Sequence, residues 1–287
     1  MVVNAAAKIN LMLDILGKTE NGYHSLYMIM QSVSIYDTIT VDKTNSGEIT
    51  LSCSNSSVPC NSSNIAVKAA KLFFKSTNCK NSGIHIDIQK RIPLEAGLAG
   101  GSADAAAVIV ALDRIFDTSL SIKQLSEIGL QVGADVPFCM QGGTMLALDI
   151  GGVLAPLPDM PECFLVLAKP VQGISTAQAY ADFDNFKDCR HLDRQGMLRA
   201  VVTQDLNRIC LSMGNVFEQV IEVLERVEIK RVMREHNSIG HCMSGSGPTV
   251  FGVFANENDA KSCAKELKKS IKDVFVCKPV GQGCVIN

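Results

Sequence analysis

Residues 84–107 read Ile84-His-Ile-Asp-Ile-Gln-Lys-Arg-Ile-Pro-Leu-Glu-Ala-Gly-Leu-Ala-Gly-Gly-Ser-Ala-Asp-Ala-Ala-Ala107. The first six residues alternate strictly, with Ile84, Ile86 and Ile88 on one face and His85, Asp87 and Gln89 on the other. That is the period of a half-buried strand, and it makes His85 a solvent-facing residue rather than a reactive one. The strand runs into glycines at 97, 100 and 101, and a strongly apolar helix opens at Ser102. Glycine at such a junction lets the backbone take positive φ and come close to a ligand. Unpaired N–H groups at a helix start, reinforced by the macrodipole, favour an anion such as phosphate. The spacing fits neither Gly-x4-Gly-Lys-[Ser/Thr] nor Gly-x-Gly-x-x-Gly, so two common nucleotide loops are excluded. On the glycines alone, a tight strand-to-helix turn packed against a neighbour stays open as the alternative.

Outward from this stretch, Val33–Val41 and Glu48–Cys53 read as strands, with Asn45-Ser-Gly47 as a turn between them. Asn64 stands as an N-cap before a helix carrying Ile65, Ala69, Leu72 and Phe73. Ser121-Ile-Lys-Gln124 has capping-box form and opens a helix through Leu130. After Gly151-Gly152 comes a connection with prolines at 156, 158 and 161, the expected boundary between domains 1–152 and 153–287. Beyond it the pattern is strand (Cys163–Ala168), helices, strands (Gly240–Met243 and Thr249–Phe254), helix (Asn256–Ser270) and strand (Val274–Pro279). This β–α–β–β–α–β order suits a small antiparallel sheet with helices on one face. Val216, Phe217, Val220, Ile221 and Leu224 recur at helical spacing and are expected in the core.

The chain has 287 residues, 47% hydrophobic and 20% charged, enough for a packed core. Lys+Arg 27 against Asp+Glu 29 gives a net charge of −2, which argues against an extended nucleic-acid surface while leaving room for a small cationic pocket. No apolar run approaches the roughly 18 residues of a membrane helix. The start, Met1-Val-Val-Asn-Ala-Ala-Ala-Lys8, lacks a charged leader followed by a hydrophobic stretch, so an intracellular chain is expected. The 11 cysteines are scattered and include no Cys-x-x-Cys pair. They are expected to be reduced and structural, not metal ligands.

Three further segments carry unusual chemistry. Ala6-Ala-Lys8-Ile-Asn10-Leu puts a cation in an apolar, strand-like run, which is costly unless the amine meets an anion. Val132-Gly-Ala-Asp135-Val-Pro137 places one carboxylate among small and apolar residues. Cys242-Met-Ser244-Gly-Ser-Gly247-Pro is a second glycine-rich turn. Each alone has an ordinary reading: a snorkelling lysine, a turn aspartate, a hairpin.

Together they resemble the signature of the GHMP kinase superfamily over nearly the whole chain. The matching pieces are Ala7-Lys8-Ile9-Asn10-Leu11, Asn21-Gly22-Tyr23-His24, Gln31 through Asp37-Thr38-Ile39, the glycine-rich loop, Gly133-Ala134-Asp135-Val136-Pro137, and Lys169-Pro170 with Ile174-Ser175-Thr176-x3-Tyr180. Gly-Tyr-His so soon after Ala-Lys-Ile-Asn-Leu is similar to the branch whose small polyol acceptor carries a cytidine diphosphate, in the non-mevalonate route to isoprenoids. The resemblance implies an α+β, two-domain GHMP kinase fold: an N-terminal α+β ATP-binding domain and a C-terminal ferredoxin-like α/β sandwich. It implies ATP as co-substrate, Mg2+ arriving with the nucleotide, and no nucleic-acid or membrane partner, in a bacterial cytoplasm. Asp135 would be the base toward the acceptor hydroxyl, with Lys8 as its electrostatic partner. Pro93, Leu94, Glu95, Ala96, Gly97, Leu98, Ala99, Gly100, Gly101, Ser102 and Ala103 would wrap the ATP phosphates, with Asn64 and Lys90 near the adenosine. Tyr23 and Tyr180 would sandwich the cytosine ring, His24 would bond the base edge, and Asn10 and Thr176 would lie near polar groups of the acceptor. A structural ion pair for Lys8 and Asp135, helix packing for Tyr180 and a turn role for His24 are the alternatives. A sister kinase acting on mevalonate, homoserine or a sugar is the rival function, and a non-catalytic nucleotide-binding protein a further one. The chain departs from the pattern at Ala5-Ala6, where many relatives have a proline, and at Glu95, Ala99 and Ala103 in the loop, which bears on ATP affinity.

Overall fold

The structure, a computed structural model, describes residues 1–287. Two long strands, β1 (Val2–Lys18) and β2 (His24–Lys43), open the chain as an antiparallel hairpin. β1 is buried without a break from Ala5 to Ile15, covered on both faces, so it shows no period-2 alternation. Its register against β2 shifts at Ala6/Ala7, Asn10/Met12 and Ile15/Gly17, and such bulges bend and twist the ribbon. β3 (Ile49–Cys53) and β4 (Ile84–Gln89) pair in parallel, as their connection through helix α1 (Ile65–Thr77) permits. β4 then pairs antiparallel with the second half of β2. The alternation read at 84–89 is realised, with Ile84, Ile86 and Ile88 fully buried.

Helix α2 (Gly100–Phe116) follows and is buried along most of its length, as its alanine-rich sequence requires. Next come α3 (Ile122–Val132), the short α4 (Val136–Gln141), β5 (Thr144–Asp149) and β6 (Val153–Pro156). The α1 cap at Asn64 and the Ser121/Gln124 capping box form as expected. β5 pairs with the first half of β2, and β6 with β5, so residue 152 lies in the turn between two strands of one sheet.

The second half holds β7 (Phe164–Lys169), α5 (Thr176–Asp184), α6 (Arg194–Val202), α7 (Leu206–Ser212) and the two-residue β8 (Gly214–Asn215). It ends with α8 (Leu224–Glu235), β9 (Gly240–Met243), β10 (Val250–Phe254), α9 (Glu257–Leu267), β11 (Asp273–Cys277) and β12 (Cys284–Ile286). β11-β7-β10-β9 make a four-stranded antiparallel sheet, the ferredoxin-like order, backed by α8 and α9 over a core that includes Val166, Met233, Phe254 and Cys263. β8 and β12 instead pair with β1, so this half reaches back to flank the first hairpin.

One expectation fails. The spacing of Val216, Phe217, Val220, Ile221 and Leu224 does not make one helix: Val216–Gln219 is a single 3-10 turn, and α8 starts only at Leu224, which is 80% exposed. Val220, Ile221 and Val223 crowd β-branched side chains where the helix would continue, and an extended segment buries Ile221 and Val223 equally well.

Candidate active site

The β1 bulge around Lys8 brings the apolar strand and the turn before α4 together. Lys8 is only 4% exposed, and its Nζ lies 2.7 Å from Asn10 Oδ1 and 3.8 Å from Asp135 Oδ2. Asp135 sits just before Val136-Pro137, whose proline fixes the first turn of α4. The Asp135 side chain is about a third exposed, 32%, and faces the cleft while Lys8 closes the site from behind. A buried ammonium that has one neutral and one anionic oxygen partner can steady negative charge on a group in front of it.

That group would meet the glycine-rich loop. Pro93 through Ser102 line one wall of a cavity of about 1070 Å³ whose lining includes Lys8 and Asp135. Gly97 takes φ +72°, and Glu95 and Ala99 take φ +50° and +57°, so the loop turns through left-handed conformations before α2 begins. No side chain caps α2, which leaves its first N–H groups available to an anion at the cleft. Helix α2 begins at Gly100, two residues before the expected start at Ser102.

The second glycine turn locks onto the first. Ser244 Oγ donates to the Gly97 carbonyl at 3.0 Å and accepts from Asn10 N at 3.2 Å. Asn10 Oδ1, besides receiving Lys8, accepts from Gly245 N at 3.0 Å, and Lys8 N donates to the Leu98 carbonyl at 3.1 Å. Asn10 is fully buried and outside the cavity lining. It joins Lys8 to the second turn.

At the far end of the cleft, Tyr23 is 65% exposed, and His24 stacks on Tyr180 with ring centroids 4.5 Å apart and planes 23° apart. Burial pushes the Tyr180 phenol up to about 12. Thr176 Oγ1 lies 3.0 Å from Ser246 Oγ, and both line the cavity with Tyr23, His24 and Tyr180. His24 Nε2 is 2.7 Å from Asp184 Oδ1. Asp184 carries no motif in the sequence; its only signal is its place four residues after Tyr180.

Besides Asn10, three more expected residues lie off the cleft surface. Asn64 caps α1 through Ala66 N and donates to the Pro59 carbonyl. Ala103 is buried inside α2. Lys90 is sealed between Asp37 and Asp104, 2.8 Å from the latter. Burial pulls its pKa down, and the two carboxylates outweigh that and raise it. The sequence showed 242–248 as a glycine-rich turn without assigning Ser244 its bond to Gly97.

Two family descriptions match the chain: "GHMP kinases N terminal domain" over residues 64–143 and "GHMP kinases C terminal" over residues 197–273. The chain is 43% identical over 282 residues to a 4-diphosphocytidyl-2-C-methyl-D-erythritol kinase of Clostridium acetobutylicum, covering 98% of this chain and 100% of that one. It is 41% identical over 284 residues to the enzyme of that name from Clostridium perfringens, covering 98% of each. Among solved structures, a 4-(cytidine 5'-diphospho)-2C-methyl-D-erythritol kinase superposes with TM-score 0.79 at 29% identity, over 98% of this chain and 100% of that one. A homoserine kinase from Cytophaga hutchinsonii superposes with TM-score 0.81 at 18% identity, over 100% and 97%, a likeness of fold alone.

Proposed function

The chain belongs to the GHMP kinases, in the family of the 4-diphosphocytidyl-2-C-methyl-D-erythritol kinases, and on that premise we propose that it transfers the γ-phosphoryl group of ATP to the 2-hydroxyl of 4-diphosphocytidyl-2-C-methyl-D-erythritol. The products are the 2-phosphate and ADP, on the non-mevalonate route to isoprenoids in a bacterial cytoplasm. The observation that carries the reading is the Lys8–Asp135 pair, 3.8 Å apart, in one cleft with the uncapped start of α2.

In the step, the acceptor oxygen bonds to the γ-phosphorus, the bond from that phosphorus to the bridging oxygen of ADP breaks, and the hydroxyl proton passes to the Asp135 carboxylate. The transition state of such a transfer is loose and its charge is spread, so the chain mainly positions and neutralises. Lys8, fixed by Asn10, supports the charge at Asp135 and the attacking oxygen. Residues 93–102 wrap the phosphates, with the N–H groups at the start of α2 as donors. Asn64 and Lys90 shape the nucleotide side of the site through α1 and the start of α2. Asp135 and Glu95 are carboxylates of the cleft lining, and an Mg2+ ion would be carried in on the phosphates with water completing its shell. When bound, Mg2+ neutralises charge on the transferred group. Tyr23 offers an exposed stacking face to the cytosine ring, Tyr180, stacked on His24, lines the same end of the cleft, and His24 offers a bond to the base edge.

The test is an ADP-release assay with Mg-ATP on four acceptors: the cytidylylated methylerythritol, mevalonate, homoserine and galactose. Turnover on the first alone is expected. Turnover on another keeps the Lys8/Asp135 chemistry and removes the cytosine pocket; silence with all four favours a non-catalytic nucleotide-binding protein.

A further inference from the structure

Tyr180 and Asp184 are four residues apart on α5, one turn along the same face, and both meet the ring of His24. The ring stacks on Tyr180 and is bonded through Nε2 to Asp184 Oδ1 at 2.7 Å, while the other carboxylate oxygen is 2.7 Å from Lys18 Nζ at the end of β1. His24 is thus fixed from a different element than its own, with its side chain 11% exposed and lining the cleft. No hydrogen bond within the chain uses its Nδ1.

The geometry points to Asp184 as a specificity-determining residue that sets the preference for cytosine over uracil by fixing the tautomer of His24, an inference that rests on the cytosine reading above. An ionised carboxylate only accepts, so its partner nitrogen must carry the proton. Hydrogen bonds from Lys18 and then from His24 hold the Asp184 carboxyl below its ordinary range and keep it an acceptor. With Nε2–H committed to Asp184, the neutral form of the ring has Nδ1 as an acceptor that no hydrogen bond within the chain uses. Cytosine offers an amino donor at C4, and uracil a carbonyl oxygen there. Nδ1 pairs with the first and faces the lone pairs of the second, which leaves two desolvated acceptors unmatched. The opposite tautomer would reverse the preference. Asp184 is therefore a positioning residue, acting on the base through His24.

The experiment compares kcat and KM for the cytidylylated acceptor and its uridylyl analogue, with Mg-ATP, in the wild type, Asp184→Asn and Lys18→Ala. It also records 15N spectra of histidine-labelled wild type and Asp184→Asn without substrate. Asparagine can donate to Nε2 and so admits the other tautomer. The expected result is a cytidylyl-to-uridylyl ratio of kcat/KM lowered at least about tenfold in Asp184→Asn, through acceptor KM and with KM for ATP unchanged. The His24 spectrum should show the proton on Nε2 in the wild type and moved or shared in the variant. Lys18→Ala, which leaves the Asp184–His24 bond in place, should keep the ratio. An unmoved ratio in Asp184→Asn, an equal loss in Lys18→Ala (a tether for α5 and nothing more), or a proton on Nδ1 in the wild type overturns the inference. Wild type inactive on the cytidylylated acceptor removes the functional reading and this inference with it. Wild type active with an unmoved ratio removes this inference alone.

Discussion

At Lys8 an ammonium group is buried within the unbroken buried stretch of β1, with Asn10 and Asp135 as its oxygen partners. Removing the proton acceptor while keeping its shape isolates its part in the reaction. Asp135→Asn should lower kcat by roughly 10²–10⁴ with nucleotide affinity, measured by calorimetry, unchanged. Full activity in that variant would leave the pair a structural one. Ala99 tests the neighbouring loop. Its φ of +57° is the left-handed region, which costs an L-residue about 1–2 kcal/mol. Glycine would relieve that strain but lose about 0.4–1 kcal/mol through its freer unfolded chain. Ala99→Gly should therefore leave urea stability unchanged or raise it by up to about 1.6 kcal/mol; a clear loss would mean that the methyl group packs. Lys8 and Asp135 were legible in the sequence because a charge inside an apolar run is an anomaly that demands a partner. Asp184 was not, since an acidic residue on an exposed helix is ordinary until the fold brings His24 to it.

Where elements meet, the start of α2 is pinned from below. Lys90, at the end of β4, is shut between Asp37 of β2 and Asp104 of α2, and Asp37 also accepts from the backbone of Arg91 and Ile92. The three groups carry one cation for two carboxyls, and Asp104 Oδ1 has no hydrogen-bond partner. Lys90→Met would strand the two carboxyls in the interior, so a loss of about 3–5 kcal/mol is expected in chemical denaturation. Nucleotide affinity should weaken with it as the α2 start loosens. Burial holds the Asp104 carboxyl well above its ordinary range. Between the unfolded and folded values the native state binds the extra proton, so this group's contribution falls as pH rises from about 4 through that window. Asp104→Asn should flatten that slope in urea titrations, and an identical slope would assign it to other groups. The same elements show what a sequence can carry. β4 was legible through its alternation, and α1 and α3 through their caps. The length of β1 was hidden because burial on both faces and three bulges erase the period that reveals a strand. The stretch 216–224 misled because helical spacing says which residues are buried, and a short turn followed by extended chain buries most of the same ones.

Over the whole molecule, the cleft exists because two glycine turns, 147 residues apart at the Gly97–Ser244 bond, touch. The sequence showed both turns and their chemistry; their contact depends on how β8 and β12 tie the second half to β1, and no local pattern encodes that. Gly97 and Gly47 separate the contact from the conformation, since both have φ +72°. A Cβ built on Gly47 meets nothing within 4 Å, whereas one on Gly97 would collide with the Ser244 carbonyl oxygen and lie 3.1 Å from that of Gly247. Gly47→Ala should therefore cost only the backbone strain less the entropy regained, about 1 kcal/mol, with kinetics untouched. Gly97→Ala adds a clash of backbone against backbone, where no side chain can swing away, for about 2–4 kcal/mol in all. Because Leu98 and Ser244 bond directly to Lys8 and Asn10, the displaced loop should also carry the phosphates away from Asp135. A fall of roughly 10²-fold in kcat/KM for ATP is the expected size of such a misplacement. If the two variants lose equal stability and keep equal kinetics, the two turns do not act as one unit, and the cleft is shaped by each half of the chain alone.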